Sequence, residues 1–362
     1  MGLPKVNVTF SEAARTLLER SDVGIVGLIL RDNVPEVNPV VATTIDDIPS
    51  TLSEDNKKQI EMALMGAEQP PQKVIAYVIP FDEEEGDDPV TYDYSEALDY
   101  FTGVEIGYLA APECGSDGMI SDIEAWIVLQ RADGRSVKAV LPNTDADNTG
   151  VINFATNSVT VSDEESYTAE RFCSRIAGML ASIPLTESST FKAIPELVGC
   201  EKKSKTEMDT DIDDGKLIVF WDGEKVKIAR GVNSFQTTTP TMGNQFKKIR
   251  IVDIMDHIQQ DIRMLAEDNY IGRYSNNYDN KLILLTAIQD YLTELEKQGV
   301  IRVSSCDIDE KANKVYLESK GIDTKDMTAK EIREAATDDK VFLTATITIY
   351  DAIEDIVLPI TV

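Results

Sequence analysis

The sequence predicts an α/β protein with a mostly parallel core sheet, a smaller α+β domain built around a helical hairpin, and strand-forming arms at both ends. Three observations lead to this fold. Apolar runs of strand length alternate with amphipathic helical patterns between residues 23 and 141, an order typical of parallel sheets. Two long helical patterns enclose a short polar turn within residues 251–299. Both chain ends alternate apolar and polar residues, which is the pattern of a strand.

The core strands and helices can be placed from periodicity. Continuous apolar runs indicate strands covered on both faces of a sheet, and a spacing of three or four residues indicates helices. Strands are expected at 23–30, 73–79, 105–110 and 137–141, with helices at 11–20, 53–65, 95–102 and 119–131. Further along, we expect paired short strands at 150–154 and 158–161, a helix at 167–182, a strand at 190–194, an acid-rich loop at 201–214, and strands at 217–221 and 226–229. Asp222 and Gly223 separate the last two strands, and this dipeptide favours a tight hairpin turn.

The helical hairpin is the most regular part of the C-terminal region. Its first helix repeats apolar residues at helical spacing, namely Ile251, Ile254, Met255, Ile258, Ile262 and Leu265. The second helix is expected to begin after Asp279 as its N-cap and to end before Gly299. Because each helix has one apolar face, the hairpin must pack on another layer, for which flanking strands are the obvious candidate. We expect a strand at 301–303, a helix at 310–319 and a small helix opened by a capping box at Thr328 and Glu331.

The two chain ends carry strand patterns where polar tails are more usual. Near the start, Val6, Val8 and Phe10 alternate with polar residues, and near the end Ile356, Leu358, Ile360 and Val362 do the same. A third alternating segment contains Leu343, Ala345, Ile347 and Ile349. Each terminal strand either pairs within its own subunit or adds to the sheet of a neighbouring molecule. The pattern alone leaves both arrangements open.

Composition limits the possible functions. A chain of 362 residues favours two domains, and we place the boundary in the Thr-, Pro- and Gly-containing stretch 236–244. The net charge of −29 argues against nucleic-acid binding, which needs clustered basic residues. The four cysteines are widely spaced, which favours free thiols in a reducing compartment. Without a signal-like or membrane-spanning apolar run, the chain is expected to be soluble and made in the cytosol.

Chemical motifs are weak. His257 is the single histidine, and the stretch from Cys114 to Gly118 lacks the first glycine of a nucleophile elbow. Asp209, Asp211 and Asp213 have the early spacing of a calcium loop, but later ligand positions fail. We therefore expect no catalytic, cofactor-binding or metal-binding residues. An α/β hydrolase-like enzyme and a calcium-dependent binding module are the alternatives from other functional classes.

Several long stretches carry a family resemblance. They include GLPKVNVTF at 2–10, VGIVGLILRD at 23–32, YTAERFCSRIAGML at 167–180, WDGEKVKIARGVNSFQTTTP at 221–240, the whole hairpin region 246–301, and VFLTATITIYDAIEDIVLPITV at 341–362. These stretches resemble tail sheath proteins of contractile phage tails. More narrowly, they are similar to the short sheaths of myovirus-like prophages and of R-type bacteriocins of Gram-positive bacteria.

The resemblance implies a structural subunit rather than an enzyme. Its implied domains are an N-terminal arm (1–20), an α/β core (21–235), a C-terminal sheath domain (236–350) that lines the tube, and a C-terminal arm (351–362). The donated strands would contain Val6, Val8 and Phe10, and Ile356, Leu358, Ile360 and Val362, with an acceptor edge at 342–349. Implied partners are further copies of the chain in a helical homopolymer, an inner tail tube protein, and baseplate and tail terminator proteins, with no nucleic acid, membrane or cofactor. The subunit would be made in the host cytoplasm and act in a virion or phage-tail-like particle that contracts to drive the tube through a cell envelope.

Overall fold

The computed structural model describes residues 24–81, 91–162 and 165–361. These residues form two compact units. The first, which we call the core unit, contains the described residues up to Asp256 together with the C-terminal segment from Ala352. The second, the hairpin unit, contains His257–Asp351.

The core unit is built on a mostly parallel sheet, which confirms the predicted α/β class. Its strands are β1 (Ile25–Asp32), β2 (Val40–Ala42), β3 (Lys73–Pro80), β4 (Tyr108–Ala110), β5 (Lys138–Pro142), β6 (Val151–Phe154), β7 (Ser158–Ser162), β8 (Glu165–Thr168), β9 (Gly199–Cys200), β10 (Lys216–Leu217), β11 (Val219–Trp221) and β12 (Val226–Ile228). Among the described residues, seven strands form the main sheet in the order β10-β6-β5-β4-β1-β3-β2. Each neighbouring pair is parallel except β2 with β3.

Helices cover both faces of this sheet. The helices of the core unit are α1 (Glu54–Met65), α2 (Ser95–Thr102), α3 (Ile120–Ala132), α4 (Ala169–Ala181) and α5 (Lys205–Asp213), followed by the start of α6 (Ile249–Asn269), with short 3-10 turns at Ile45–Asp47 and Asn244–Lys247. Apolar residues of α1 and α4 pack on one face, and those of α2 and α3 on the other. Gly178 makes the close contact of α4 with α1 possible, because a Cβ there would lie 2.0 Å from the Ala63 carbonyl oxygen.

Three predictions for residues 150–214 are wrong. The segments 150–154 and 158–161 do not pair, because β6 joins the main sheet while β7 pairs with β8 and β9 in a separate three-stranded sheet. The predicted strand at 190–194 is not a full strand: it has a single antiparallel bridge between Ala193 and Lys227, with backbone hydrogen bonds to Ile228 and Val226 of β12 on either side. The predicted acid-rich loop contains α5, which begins with a capping box formed by Ser204 and Glu207. That Ser-x-x-Glu pattern was readable in the sequence.

The hairpin unit contains the two long helices and a small sheet. Its elements after α6 are α7 (Tyr278–Lys297), β13 (Ile301–Ile308), α8 (Glu310–Ser319), α9 (Ala329–Glu334) and β14 (Leu343–Ile349). The N-cap of α7 is Asn277, whose side chain accepts from the Asn280 amide, so the assignment of Asp279 is wrong by two positions. Gly299 follows the helix with φ +74°, as predicted. β13 is longer than expected because it pairs antiparallel with all of β14.

Candidate functional site

Open parallel sheets bind substrates at the carboxyl ends of two neighbouring strands from which the chain continues in opposite directions along the sheet. In this sheet those two strands are β1 and β4. In this protein that position is filled by charged side chains that pair with one another. Arg31 forms salt bridges with Glu113 and, at 2.9 Å, with Asp117. Asp117 also accepts from the Tyr94 hydroxyl at 2.7 Å. The arrangement stabilises the fold and leaves no free acid–base pair in this group.

Cys114 and Ser116, which belong to the weak nucleophile-elbow motif, are not activated as nucleophiles. Cys114 is buried, and burial raises the pKa of its thiol above the ordinary value, which disfavours the nucleophilic thiolate. The Gly115 and Ser116 amides donate to Glu170 Oε1 at 2.6 and 2.8 Å, and the Ser116 hydroxyl donates to the same carboxylate. The loop therefore binds a carboxylate of its own chain. His257 lies half-buried within α6.

The calcium-loop pattern also folds differently from its motif. Asp209, Asp211 and Asp213 lie within α5. Asp211 accepts from Lys203 at 2.8 Å and from Lys216 at 3.0 Å, so its oxygens are paired with ammonium groups. Over the described part of the chain, no cluster of three or more acidic, histidine or cysteine side chains has the geometry of a metal site.

The C-terminal segment of the core unit has one largely buried charged side chain, that of Glu354. Glu354 has a side chain only 6% exposed. Its carboxylate accepts from Thr190 Oγ1 at 2.7 Å and Lys248 Nζ at 2.9 Å, and it lies 3.4 Å from Arg230 Nε. We call Thr190, Arg230 and Lys248 the Glu354 socket. Sequence reasoning missed it, because its members are distant along the chain.

Beyond this point the chain end is exposed. Ile356, Val357, Leu358 and Ile360 are 80%, 91%, 74% and 77% exposed. Residues 356–361 form no strand and no hydrogen bond with any described residue. A run of apolar side chains in water is unfavourable for an isolated chain. Val362, and Val6, Val8 and Phe10 of the predicted N-terminal arm, lie outside the described residues.

The predicted acceptor segment is β14. Leu343, Ala345, Ile347 and Ile349 share one face of the strand, opposite Ile308, Cys306, Val303 and Ile301 of β13. β13 lies against α7, where Gln289 Nε2 donates to the Cys306 carbonyl at 2.7 Å. Within the described chain this sheet has only two strands, so the outer edge of β14 has no partner strand there.

The first turns of α6 are fixed to the core sheet by a buried ion-pair network. Lys138 of β5 is buried, and its Nζ lies 2.8 Å from Asp256 and 3.0 Å from Asp253. Arg131 forms two hydrogen bonds to Asp256 at 2.9 and 3.0 Å. Burial raises the pKa of Asp256, but these cations outweigh it and hold the pKa below its ordinary value. The sequence offered one signal for this network. Lys138 lies within a strand predicted to be buried, and a buried lysine requires a partner of opposite charge.

No helix in the described ranges is long and apolar enough to span a lipid bilayer. Two family models match the chain: the phage tail sheath protein central domain over residues 89–234, and the phage tail sheath C-terminal domain over residues 241–362.

Comparison with characterised and solved proteins gives the same family. The tail sheath protein of Clostridium phage phiCD119 is 36% identical over 362 residues, covering 98% of each chain. The solved sheath tail protein Lin1278 of Listeria innocua has a TM-score of 0.70 at 17% identity, covering 83% of this chain and 90% of that one. The helical sheath of the anti-feeding prophage in its contracted state has a TM-score of 0.65 at 13% identity, covering 94% and 93%. The fold and the sequence resemblance are both confirmed, and the chain belongs to the phage tail sheath protein family.

Proposed function

We propose that this chain polymerises by strand donation into a contractile sheath around an inner tube, and that contraction of the sheath drives the tube through a target envelope. The proposed partners are further copies of the chain, the tube protein, and baseplate and tail terminator proteins. The subunit would be synthesised in the host cytoplasm and act within a virion or tail-like particle. Its work would be mechanical, without a catalytic step.

The exposed apolar chain end carries this proposal. Ile356, Leu358 and Ile360 alternate with other residues, so in an extended conformation their side chains lie on one face. In the isolated chain that face is open to water. A strand added to a neighbour's sheet would bury the side chains and pair the backbone groups at the same time.

The edge of β14 is the acceptor that best fits this strand. Its neighbour β13 occupies one side, and no described residue pairs with the other. An unpaired edge of seven residues, Leu343–Ile349, is long enough for a donated segment of six. We extend the same proposal to an N-terminal strand with Val6, Val8 and Phe10.

A single donated strand would be a weak link. About five ladder hydrogen bonds contribute ~0.5–1.5 kcal/mol each, and three buried aliphatic side chains contribute ~1.5–3 kcal/mol each. Ordering the segment costs ~1–2 kcal/mol per residue, so these terms nearly cancel and leave about a few kcal/mol. Stability would therefore come from many such links along a helical, non-closing interface.

Contraction then requires that the links survive while the globular units repack. We propose that the extended sheath is kinetically trapped at assembly, and that release at one end lets successive rings move to a more stable packing. Flexible strand links suit this task because they hold neighbours together without fixing their orientation.

Removal of the arms tests the proposal. Deleting residues 356–362, or residues 1–10, should leave a folded monomer that forms no sheaths in negative-stain micrographs at concentrations where the full chain does. As a matched pair, Leu358→Ser should weaken assembly, whereas Val357→Ser should not, because only Leu358 shares a face with Ile356 and Ile360. Sheaths of normal length from either deletion would refute strand donation.

A further inference from the structure

We propose that Glu354 is a positioning residue that attaches the C-terminal arm to the core unit, so that each subunit pulls on its neighbour through its α/β core. This inference rests on the proposed strand donation and adds a specific anchor to it. Without this anchor, a pull on the donated strand would pass along residues 350–355 to β14 instead of to the core unit.

The contrast in burial along the chain end identifies the anchor. Ile353 and Ile356 are 87% and 80% exposed, whereas the Glu354 side chain between them is 6% exposed. Burial of a carboxylate is costly unless its oxygens are paired. The Glu354 socket meets this need with two cations and one hydroxyl group from separate parts of the core unit.

The socket is itself held in place by the surrounding chain. Thr190 Oγ1 accepts from the Gly231 amide at 3.0 Å while it donates to Glu354. Gly231 directly follows Arg230, so the hydroxyl and the guanidinium of the socket are fixed relative to each other. A preorganised set of donors loses little freedom when it binds the carboxylate. By contrast, Asp355 pairs with Arg230 through a side chain that is 83% exposed, where an ion pair contributes little.

The chain path explains why an anchor at this position has a mechanical consequence. β14 ends at Ile349 in the hairpin unit, whereas the segment from Ala352 onward belongs to the core unit. With Glu354 in its socket, a pull on the arm reaches the core unit first. If Glu354 is released, a pull on the arm passes along residues 350–355, which span up to about 20 Å at ~3.4 Å per residue, to β14 in the hairpin unit.

The test compares substitutions of equal charge change at adjacent positions. Glu354→Ala and Glu354→Gln remove the buried charge, and Asp355→Asn removes an exposed one. The Glu354 variants should raise the critical concentration for assembly about tenfold, because an unanchored arm must be ordered when it binds and fixing even one residue costs ~1–2 kcal/mol, and they should yield sheaths with irregular helical order. Asp355→Asn should assemble as the unmodified protein does, and all three monomers should remain folded at the temperature of the assembly assay.

A chemical cross-link tests whether the contact between Lys248 and Glu354 persists when the subunit is part of a sheath. A carbodiimide joins an amine to a carboxylate only when they are in contact, so Lys248 and Glu354 should be linked in monomers and equally in assembled sheaths, as detected by mass spectrometry. Loss of this link on assembly would overturn the anchor, because the arm would then be released when it bears load.

The deletion of residues 356–362 separates the two proposals. If that deletion still forms sheaths, strand donation fails and the anchor fails with it. If the deletion blocks assembly but both Glu354 variants assemble with the concentration dependence and order of Asp355→Asn, only the anchor fails. If the alanine variant lowers the melting temperature of the monomer, the glutamine variant, which keeps the side-chain volume, decides the question.

Discussion

Pro359 predicts the register of the donated strand. In an edge strand, alternate residues direct their N–H groups toward the neighbouring strand, and proline has no N–H group to direct. Pro359 therefore fits a position that faces away from the acceptor. The residues on either side of it, Leu358 and Ile360, would then form the hydrogen bonds to β14 of the neighbouring subunit.

A pair of proline substitutions tests this register. Leu358→Pro removes an N–H group that faces the acceptor, whereas Val357→Pro removes one that faces away. Loss of the ladder hydrogen bond costs ~0.5–1.5 kcal/mol, and loss of Leu358 burial adds ~1.5–3 kcal/mol. The sum of about 2–4.5 kcal/mol per link corresponds to a link weaker by roughly 30- to 1,600-fold. Val357→Pro should stay within about twofold, because proline is compatible with extended backbone and the side chain faces solvent.

The assay is the critical concentration for sheath formation, measured by pelleting and checked by negative-stain microscopy. Leu358→Ala is the control for the side chain, since it loses the burial but keeps the N–H group. Its effect should lie between those of the two proline variants. Equal inhibition by Val357→Pro and Leu358→Pro would refute the register, and normal assembly of Leu358→Pro would refute backbone pairing by the arm altogether.

Three further predictions follow. Lys138→Met should destabilise the monomer by up to about 3–5 kcal/mol in urea unfolding, because it removes a buried cation that contacts both Asp253 and Asp256 and leaves Arg131 to pair with Asp256; Lys297→Met, at an exposed pair, should change stability by less than about 1 kcal/mol. Because Asp256 has a lowered pKa in the folded state, its contribution is present above the unfolded value of 3.8 and is lost as pH falls through the lower folded value. Asp256→Asn should therefore lose less stability than the unmodified protein on acidification below pH 3.8, and an equal loss would contradict the assignment. Finally, because the net charge is −29, raised salt should lower the critical concentration for assembly by screening repulsion, which light scattering can follow; no change on adding salt would contradict this.

Local patterns predicted those elements that depend on nearby residues. The helix predicted at 310–319 matches α8, and β14 occupies the alternating segment with Leu343 and Ile349 at its ends. These elements were predictable because a helical or strand period is visible in the residues that form it. The strand predicted at 150–154 also exists, but its partner was wrong, since pairing depends on strands that are distant in the sequence.

Contacts between side chains that are distant in the sequence could not be predicted from local patterns. Lys138 and Asp256 are 118 positions apart, and Thr190 and Glu354 are 164 apart. Neither pair has a local period, because each exists only after the sheet and the turns have brought its members together. A charged residue such as Lys138 or Glu354 needs a partner of opposite charge when it is buried, but its own sequence position does not identify that partner.

The C-terminal arm is a different case, because its sequence predicts a strand that the isolated subunit does not form. The alternation of Ile356, Leu358 and Ile360 describes a chain that is paired on one side and buried on one face. The socket around Glu354 brings this segment to the surface of the core unit, but no described residue supplies the pairing edge. Under the proposed strand donation, the partner of this strand belongs to another molecule. The alternating pattern is then useful only in the assembly, because the segment by itself gains nothing from forming a strand.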